Sequence, residues 1–548
     1  MSPARADRPR YGWADAAIVL AMFAGTIVYL AALPRYLGAA DEAVHLYDAK
    51  RILQGEVIYR DFFTVITPGF MYLMAALFKV FGTTIATARI GAAVVHGITV
   101  VAVYLSCRRL GVRRVLAWPP AVAYLLVCEP AWPIASQHWL STMFCTLALL
   151  GCIGQSRARP RSLLVPAVAI GLLILVQQQR GLFVAAGTFV WVVVDYGLER
   201  WYRSRREAPG LVTRLAFLVG GAAVMVIPVM VAVIAAAGAD RVWRALVLFP
   251  IFNYGAVTHC PWGHVNLLTA GQAKFTFPLV LAYLPLVLPV TFTRALALTV
   301  RRRREEEARH LVLLLTFCLT SMLSISYFPD FIHIAFIAPA FFVTIGESVE
   351  WLAGLALGRS PADVAAATGS RLRRAAAGAV TLGLLAAFGA GLDHNLQRLR
   401  ATYPIGRSTA FGRVDFPDAD EAGLYDTVNT LMRDSGARYL YAYPVAAHLY
   451  LMIDVDNPTS YGWFIAPFYD ADQVRDAMSQ LRVDRLPYVL LFAQFTRPDD
   501  PVVAWIHQHY DPLPGAGRFA KTIFRRKTAD DTPAPRQPAD AGGASEEP

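Results

Sequence analysis

The chain has 548 residues, 56% of them hydrophobic and 17% charged, with Lys and Arg outnumbering Asp and Glu for a formal net charge of +11. A soluble chain of that length usually splits into several domains and carries more charge, whereas here the apolar residues gather in blocks of roughly 17–25, long enough to cross a bilayer as helices. The cations cluster between those blocks, as in cytoplasmic loops, which speaks for membrane topology and against nucleic acid, and the Cys spacings suggest neither a metal site nor a disulfide framework.

Arg5, Arg8 and Arg10 precede the first apolar block, near 13–33, which places the N-terminus in the cytoplasm and the polar stretch after it outside. The stretch 66–82 carries Pro68 and Gly69 at its start and Lys79 near its end. If it crossed, the cluster Arg108, Arg109, Arg113 and Arg114 after the 84–106 span would lie outside, so it is predicted to lie at the outer interface or dip into the bundle. Spans near 115–131, 139–154, 163–179, 182–198, 215–238, 277–299, 311–328, 331–352 and 376–392 follow, with basic clusters after every second one. The count is about eleven crossings, and its parity puts everything after residue 392 outside.

The expected fold class is therefore a polytopic α-helical membrane protein with a small extracytoplasmic α/β domain. The transmembrane domain is read as 1–392, with a first outer loop at 34–83 and a long outer loop at 239–276. The C-terminal domain is read as 393–526, with short strands at 438–443, 487–492 and 518–525 and helices at 472–481 and 502–507. The tail 527–548, rich in Ala, Pro, Asp and Glu, is predicted disordered.

The densest polar constellation lies in the first outer loop: Asp41, Glu42, His45, Asp48, Lys50, Arg51, Glu56, Arg60 and Asp61. Residues 42–53 suit a helix, on which Asp41, His45 and Asp48 occupy neighbouring turns of one face. A solvated amphipathic helix at the interface has the same spacing. Asp41-Glu42, Tyr47-Asp48-Ala49, the run 54–62, Thr67-Pro68-Gly69 and Phe81-Gly82 together resemble the first outer loop of GT-C membrane glycosyltransferases. That superfamily includes the protein O-mannosyltransferases and the transferases that add aminoarabinose to lipid A. The lipid A enzymes carry further motifs after this loop that are absent here.

The resemblance implies a transferase of the bacterial inner membrane, fed by a polyprenyl-phosphate-linked sugar and inverting at the anomeric carbon. The acceptor stays open among lipid, glycan and protein. Asp41 matches the catalytic aspartate and takes the role of general base. Glu42 beside it is structural or orienting, and Asp48 is the next carboxylate in line.

Cations against the developing phosphate charge come from the outer side: Arg60, Arg180 after three glutamines, and Lys274 in the long outer loop. An arginine at the outer end of a span can equally be a headgroup anchor. Glu129 and His138 flank a short outer loop, where Glu129 is a candidate to assist Asp41 or bind the acceptor, and Asp330 and His333 form an acidic–histidine turn and are candidate contacts to the lipid phosphate or acceptor. His259, Cys260 and His264 suggest zinc, but no carboxylate accompanies them. The form Asp454-Val455-Asp456 recurs twice more nearby and reads as composition. No cofactor is called for, and a divalent metal lacks sequence support. A multi-pass transporter or a non-catalytic sugar-binding membrane protein is the alternative, although the ionisable residues gather at span ends where a coupled transporter needs them mid-membrane.

Overall fold

The computed structural model describes residues 11–38, 41–202, 209–254, 260–265, 278–356, 371–464, 469–483, 486–493, 496–497, 499–514 and 521–527. Helices dominate. Among the described residues, seven stretches are long and apolar enough to cross a membrane: α1 (Trp13–Ala31), α4 (Ile85–Arg109), α8 (Gln178–Tyr202), α9 (Leu211–Ala237), 279–300, α13 (Glu305–Ser324) and 331–355. A short helix, α10 (Ala239–Trp243), follows α9; the stretch 279–300 comprises α11 (Pro278–Tyr283) and α12 (Val287–Val300), and 331–355 lies in α14 (Phe331–Ala356). Shorter apolar helices fill the bundle: α3 (Gly69–Phe81), α6 (Gln137–Ile153) and α7 (Leu164–Val176).

Helix α3 has 13 residues, about 20 Å at 1.5 Å per residue, too short for a hydrocarbon core of about 30 Å. Its sequence explains where it sits. The Thr67 hydroxyl donates to the Ile174 carbonyl at 2.8 Å, and Gln178 accepts from Thr67 N at 3.1 Å and donates to Val65 O at 2.8 Å. A Cβ at Gly69 would stand 2.6 Å from the Leu175 carbonyl oxygen, so Thr67-Pro68-Gly69 docks α3 against the α7–α8 junction.

Helix α5 (Arg114–Ala123) contains Pro119 and Pro120 and relaxes into a π turn, Tyr124–Cys128, then a tight turn, Glu129–Ala131, before Trp132. Pro130, lacking an N–H, prevents regular continuation. The span expected at 115–131 is thus helical but irregular at its Glu129 end.

The basic clusters are tied to acids carried by the spans. Asp15 takes Arg108 at 3.0 Å and Arg114 at 2.6 Å, Arg113 meets Glu350, and Arg294 meets Glu347. Asp195 takes Arg157 at 2.6 Å and Arg309 at 2.8 Å, and Arg157 also pairs with Glu305.

After α15 (Arg371–Thr402) the chain forms a small strand domain. β1 (Ile405–Thr409) and β2 (Gly412–Phe416) make an antiparallel hairpin turned at Gly412, whose φ of +93° favours glycine. Helices α16 (Ala419–Ser435), α17 (Ala447–Ile453), α18 (Ala471–Val483) and α19 (Pro501–His509) surround a four-stranded mixed sheet. Its order is β3-β4-β6-β5, from Tyr441–Tyr443, Tyr488–Phe492, Lys521–Arg526 and Tyr510–Pro512, with β3 and β4 parallel and the other pairs antiparallel. One apolar cluster runs from Ala43, Leu46 and Phe70 to Leu449, Tyr450 and Leu490, so the first outer loop and the strand domain share a core.

Candidate active site

Helix α2 (Asp41–Leu53) forms where the sequence predicts it, but it is buried along most of its length. A short strap, 33–38, joins it to α1. Asp41 opens the helix half-buried, and among the described residues it has no hydrogen bond or ion pair. Its neighbour is in the opposite situation. Glu42 is fully buried and accepts from Ala135 N at 2.7 Å, Gly38 N at 3.3 Å and Arg89 Nη2 at 3.0 Å. Burial pushes its carboxyl above the ordinary range, against the pull of Arg89 and the two N–H groups. Both carboxylate oxygens of Glu42 are thus committed to donors of the scaffold around the start of α2.

His45 and Asp48 face each other one turn apart, Nδ1 to Oδ2 at 3.7 Å, which is too long for a hydrogen bond. Asp48 is buried, and burial raises its carboxyl above its ordinary value, offset only in part by His45 and Arg51. Further along α2 the charges are spent on the strand domain. Lys50 meets Asp454 at 2.7 Å and Asp456 at 3.8 Å, which gives Asp454-Val455-Asp456 a structural use. Arg51, buried, donates to Glu56 at 2.6 Å, to Asp61 O at 3.0 Å and to Thr459 O at 3.2 Å. Asn457 N donates to the Tyr47 hydroxyl at 2.7 Å.

Arg60 is exposed and pairs with its neighbour Asp61 at 2.9 Å. That pair, with the Val57 N–H at 2.7 Å, holds the Asp61 carboxyl below its usual range. Lys274 and His259 lie outside the described residues.

A second group of expected residues does come together, where α6, α8 and α14 meet. Arg180, in the first turn of α8, is buried and donates to Ser141 Oγ at 2.9 Å, Thr142 Oγ1 at 3.0 Å and Phe336 O at 2.7 Å. Its Nε has no partner, and among the described residues no carboxylate lies within ion-pair distance. It is a buried cation where the sequence suggested one at an outer turn.

Ser141 also donates to Gln177 at 2.7 Å, and Gln177 reaches His138 Nδ1 at 3.2 Å. His138 stacks on Phe336, with centroids 4.5 Å apart, and stands edge-on to His333 at 5.5 Å. Asp330, buried, accepts from His333 N at 2.9 Å as a helix cap and from His333 Nδ1 at 2.7 Å, which leaves Nε2 as an acceptor. The long outer loop rests on this turn: Gly263 N donates to Pro329 O at 2.8 Å and Phe331 N to His264 O at 3.2 Å. Phe70, whose ring centroid is 6.2 Å from that of His45, lines one small cavity with Ser136, which caps His138 N at 3.1 Å, so α2 and the α6–α8–α14 junction border one region.

Glu129 falls elsewhere, in a slot between α1 and α4. Arg89, which fixes Glu42, is the residue the sequence reading passed over. The available signal was a lone cation near the start of an otherwise apolar span.

No protein-family model matches the sequence, and no curated protein matches it significantly. Solved structures do. ArnT from Cupriavidus metallidurans bound to undecaprenyl phosphate aligns at 13% identity over 95% of this chain and 99% of its own, with a TM-score of 0.56. Its apo state aligns at 14% identity over 95% and 100%, also at 0.56. The arabinofuranosyltransferase AftD from Mycobacteria gives 0.49, at 16% identity over 94% of this chain and 40% of its own. At such identities the likeness is one of fold: this chain is a multi-pass membrane protein with the GT-C fold.

Proposed function

We propose that the protein is a membrane glycosyltransferase that moves a sugar from a polyprenyl-phosphate-linked donor to an acceptor on the extracytoplasmic side. The observation carrying this reading is the pair Asp41 and Glu42. In a GT-C fold, the one carboxylate is wholly committed to the scaffold while the next one along is half-buried and unpartnered among the described residues. Asp41 is the base. It takes the proton of the acceptor hydroxyl as the new oxygen–carbon bond forms at the anomeric carbon. The bond from that carbon to the phosphate oxygen breaks, its electron pair leaves with the polyprenyl phosphate, and the configuration inverts. Phosphate departs as an anion without needing a strong acid.

Arg180 and Lys274 oppose the charge that develops on it. Arg180 suits that role because a buried guanidinium without a counter-ion is stabilised by any anion drawn near. His138 and the Asp330–His333 pair line the same region and contact the acceptor or the departing phosphate. ArnT, which shares the fold, is a protein captured with undecaprenyl phosphate, and this supports a carrier of that class. The grouping of the basic clusters with Asp15, Asp195, Glu347 and Glu350 supports a cytoplasmic face at those residues. The strand domain then lies on the extracytoplasmic side of the bacterial inner membrane.

The test is transfer of radiolabelled sugar from polyprenyl-phosphate donors by purified protein, wild type beside Asp41→Asn. A loss of at least about a hundredfold, with the melting profile unchanged, is expected. Undiminished transfer by the variant removes Asp41 from the chemistry.

A further inference from the structure

The outer ends of α1 and α4 part to form an open slot with a cavity volume of about 70 Å³, lined by Leu30, Leu33, Ile90, Arg35, Arg89 and Glu129 among others. It opens on a surface that presents Leu20, Val28 and Ile90 to the outside, all more than half exposed, so its mouth faces the lipid of a bilayer. Three of its polar side chains have unpartnered atoms among the described residues. Glu129 is 2% exposed, and its Oε2 accepts no hydrogen bond in the structure. The exposed Arg35 guanidinium has no partner among the described residues, although its backbone is held by Asp415 at 2.8 Å. Arg89, the other cation of the slot, gives both terminal nitrogens to Glu42 and to the carbonyls of Pro133 and Tyr36, and only its Nε is left without an acceptor.

A buried carboxyl oxygen without a donor has given up its water and gained nothing in return. The slot therefore calls for an N–H or O–H brought in by a ligand, together with an anionic group for Arg35. A polyprenyl phosphate offers the anion but no donor for Glu129. We propose that this slot seats the headgroup of a bilayer phospholipid with a zwitterionic primary-amine headgroup, its ammonium on Glu129, its phosphate on Arg35 and its chains along α1 and Ile90. Pro34 and Arg35 of the strap that leads into Asp41 form one wall, so the seated lipid also steadies the approach to α2. The site goes beyond the transfer reaction and requires no turnover.

The test uses the full chain in nanodiscs of phosphatidylethanolamine with phosphatidylcholine. Lipids kept after detergent exchange are weighed by native mass spectrometry, and a photoreactive phosphatidylethanolamine maps the site. Retention of phosphatidylethanolamine at least about tenfold over phosphatidylcholine is expected, because a quaternary ammonium has no N–H to give, with label on residues 30–35 and 86–96. Glu129→Leu should cut retention at least fivefold. Ile90→Trp, at an exposed mouth position that does not threaten folding, should do the same. Asp41→Asn should retain the lipid in full while losing transfer, which separates this proposal from the catalytic one.

Equal retention of phosphatidylcholine, label spread evenly over the other apolar helices, or displacement by undecaprenyl phosphate overturns the proposal. So does transfer of labelled sugar onto the retained lipid, which would make the slot an acceptor site.

Discussion

Glu42 and Arg89 offer the sharpest test of how the candidate site is held. Their side chains are 0% and 14% exposed and meet at 3.0 Å. Glu42→Ala strands the guanidinium and releases the Ala135 and Gly38 N–H groups. Arg89→Ala strands the carboxylate and frees the carbonyls of Pro133 and Tyr36. Breaking one side of a buried pair costs about 3–5 kcal/mol, largely because the other charge is left uncompensated. Removing both leaves no stranded charge, so the double variant should fall short of the sum by at least about 2 kcal/mol. Unfolding by sodium dodecyl sulfate in mixed micelles, followed by tryptophan fluorescence, measures all four corners of the cycle. Additivity within about 0.5 kcal/mol would refute the pairing as the element that fixes the start of α2.

Asp48→Asn tests the effect of burial on a carboxyl without a hydrogen-bonding partner at Oδ2. A raised folded value favours the protonated acid, so the contribution of Asp48 is full in acid and is lost as pH rises through that value. The variant should match wild type near pH 4 and equal or exceed its stability at neutral pH, read as apparent melting temperature; a clear neutral-pH loss defeats the reasoning. Gly69→Ala places a Cβ 2.6 Å from the Leu175 carbonyl oxygen, and the resulting shift of α3 should cost about 1–3 kcal/mol in the same unfolding assay. Arg51→Ala releases Glu56 and two carbonyls, one of them Thr459 O, so limited proteolysis should cut near residues 454–461 several-fold faster than in wild type.

Periodicity reveals what one helix or strand decides alone, and this is why α2, α3, the long spans and the strands at 441–443, 488–492 and 521–526 were legible. The β1–β2 hairpin was not, because only Ile405, Val414 and Phe416 of its paired residues are large and apolar, and it draws on Gly412 and on contacts with Met452 and Arg35. The Tyr124–Ala131 irregularity was half legible, since Pro130 marks a break but not the π turn before it. At the site, residue types were legible and commitments were not. Nothing near Glu42 in the sequence announces that Arg89 and Ala135 will claim it. Arg180 shows the same gap: a polar turn suggests an exposed cation, yet α6 and α14 close over it.

The first outer loop carries more charge than any catalytic step requires, and the structure accounts for nearly all of it. Glu42 is held by Arg89, Lys50 by Asp454 and Asp456, Arg51 by Glu56, and Arg60 by Asp61. The Thr67-Pro68-Gly69 turn docks α3, and Tyr47 joins Asn457. A dense polar motif of this kind is mostly scaffolding, whose contacts reach residues hundreds of positions away, so its spacing persists for reasons of packing. What the scaffold leaves over is then more informative than what it uses. Asp41 stands at the end of the strap, next to a glutamate fixed by three donors, and among the described residues nothing neutralises it. A carboxylate kept unpaired beside the fully held Glu42 costs little at half-burial, unlike the unpartnered oxygen of the buried Asp48, and remains available to take a proton.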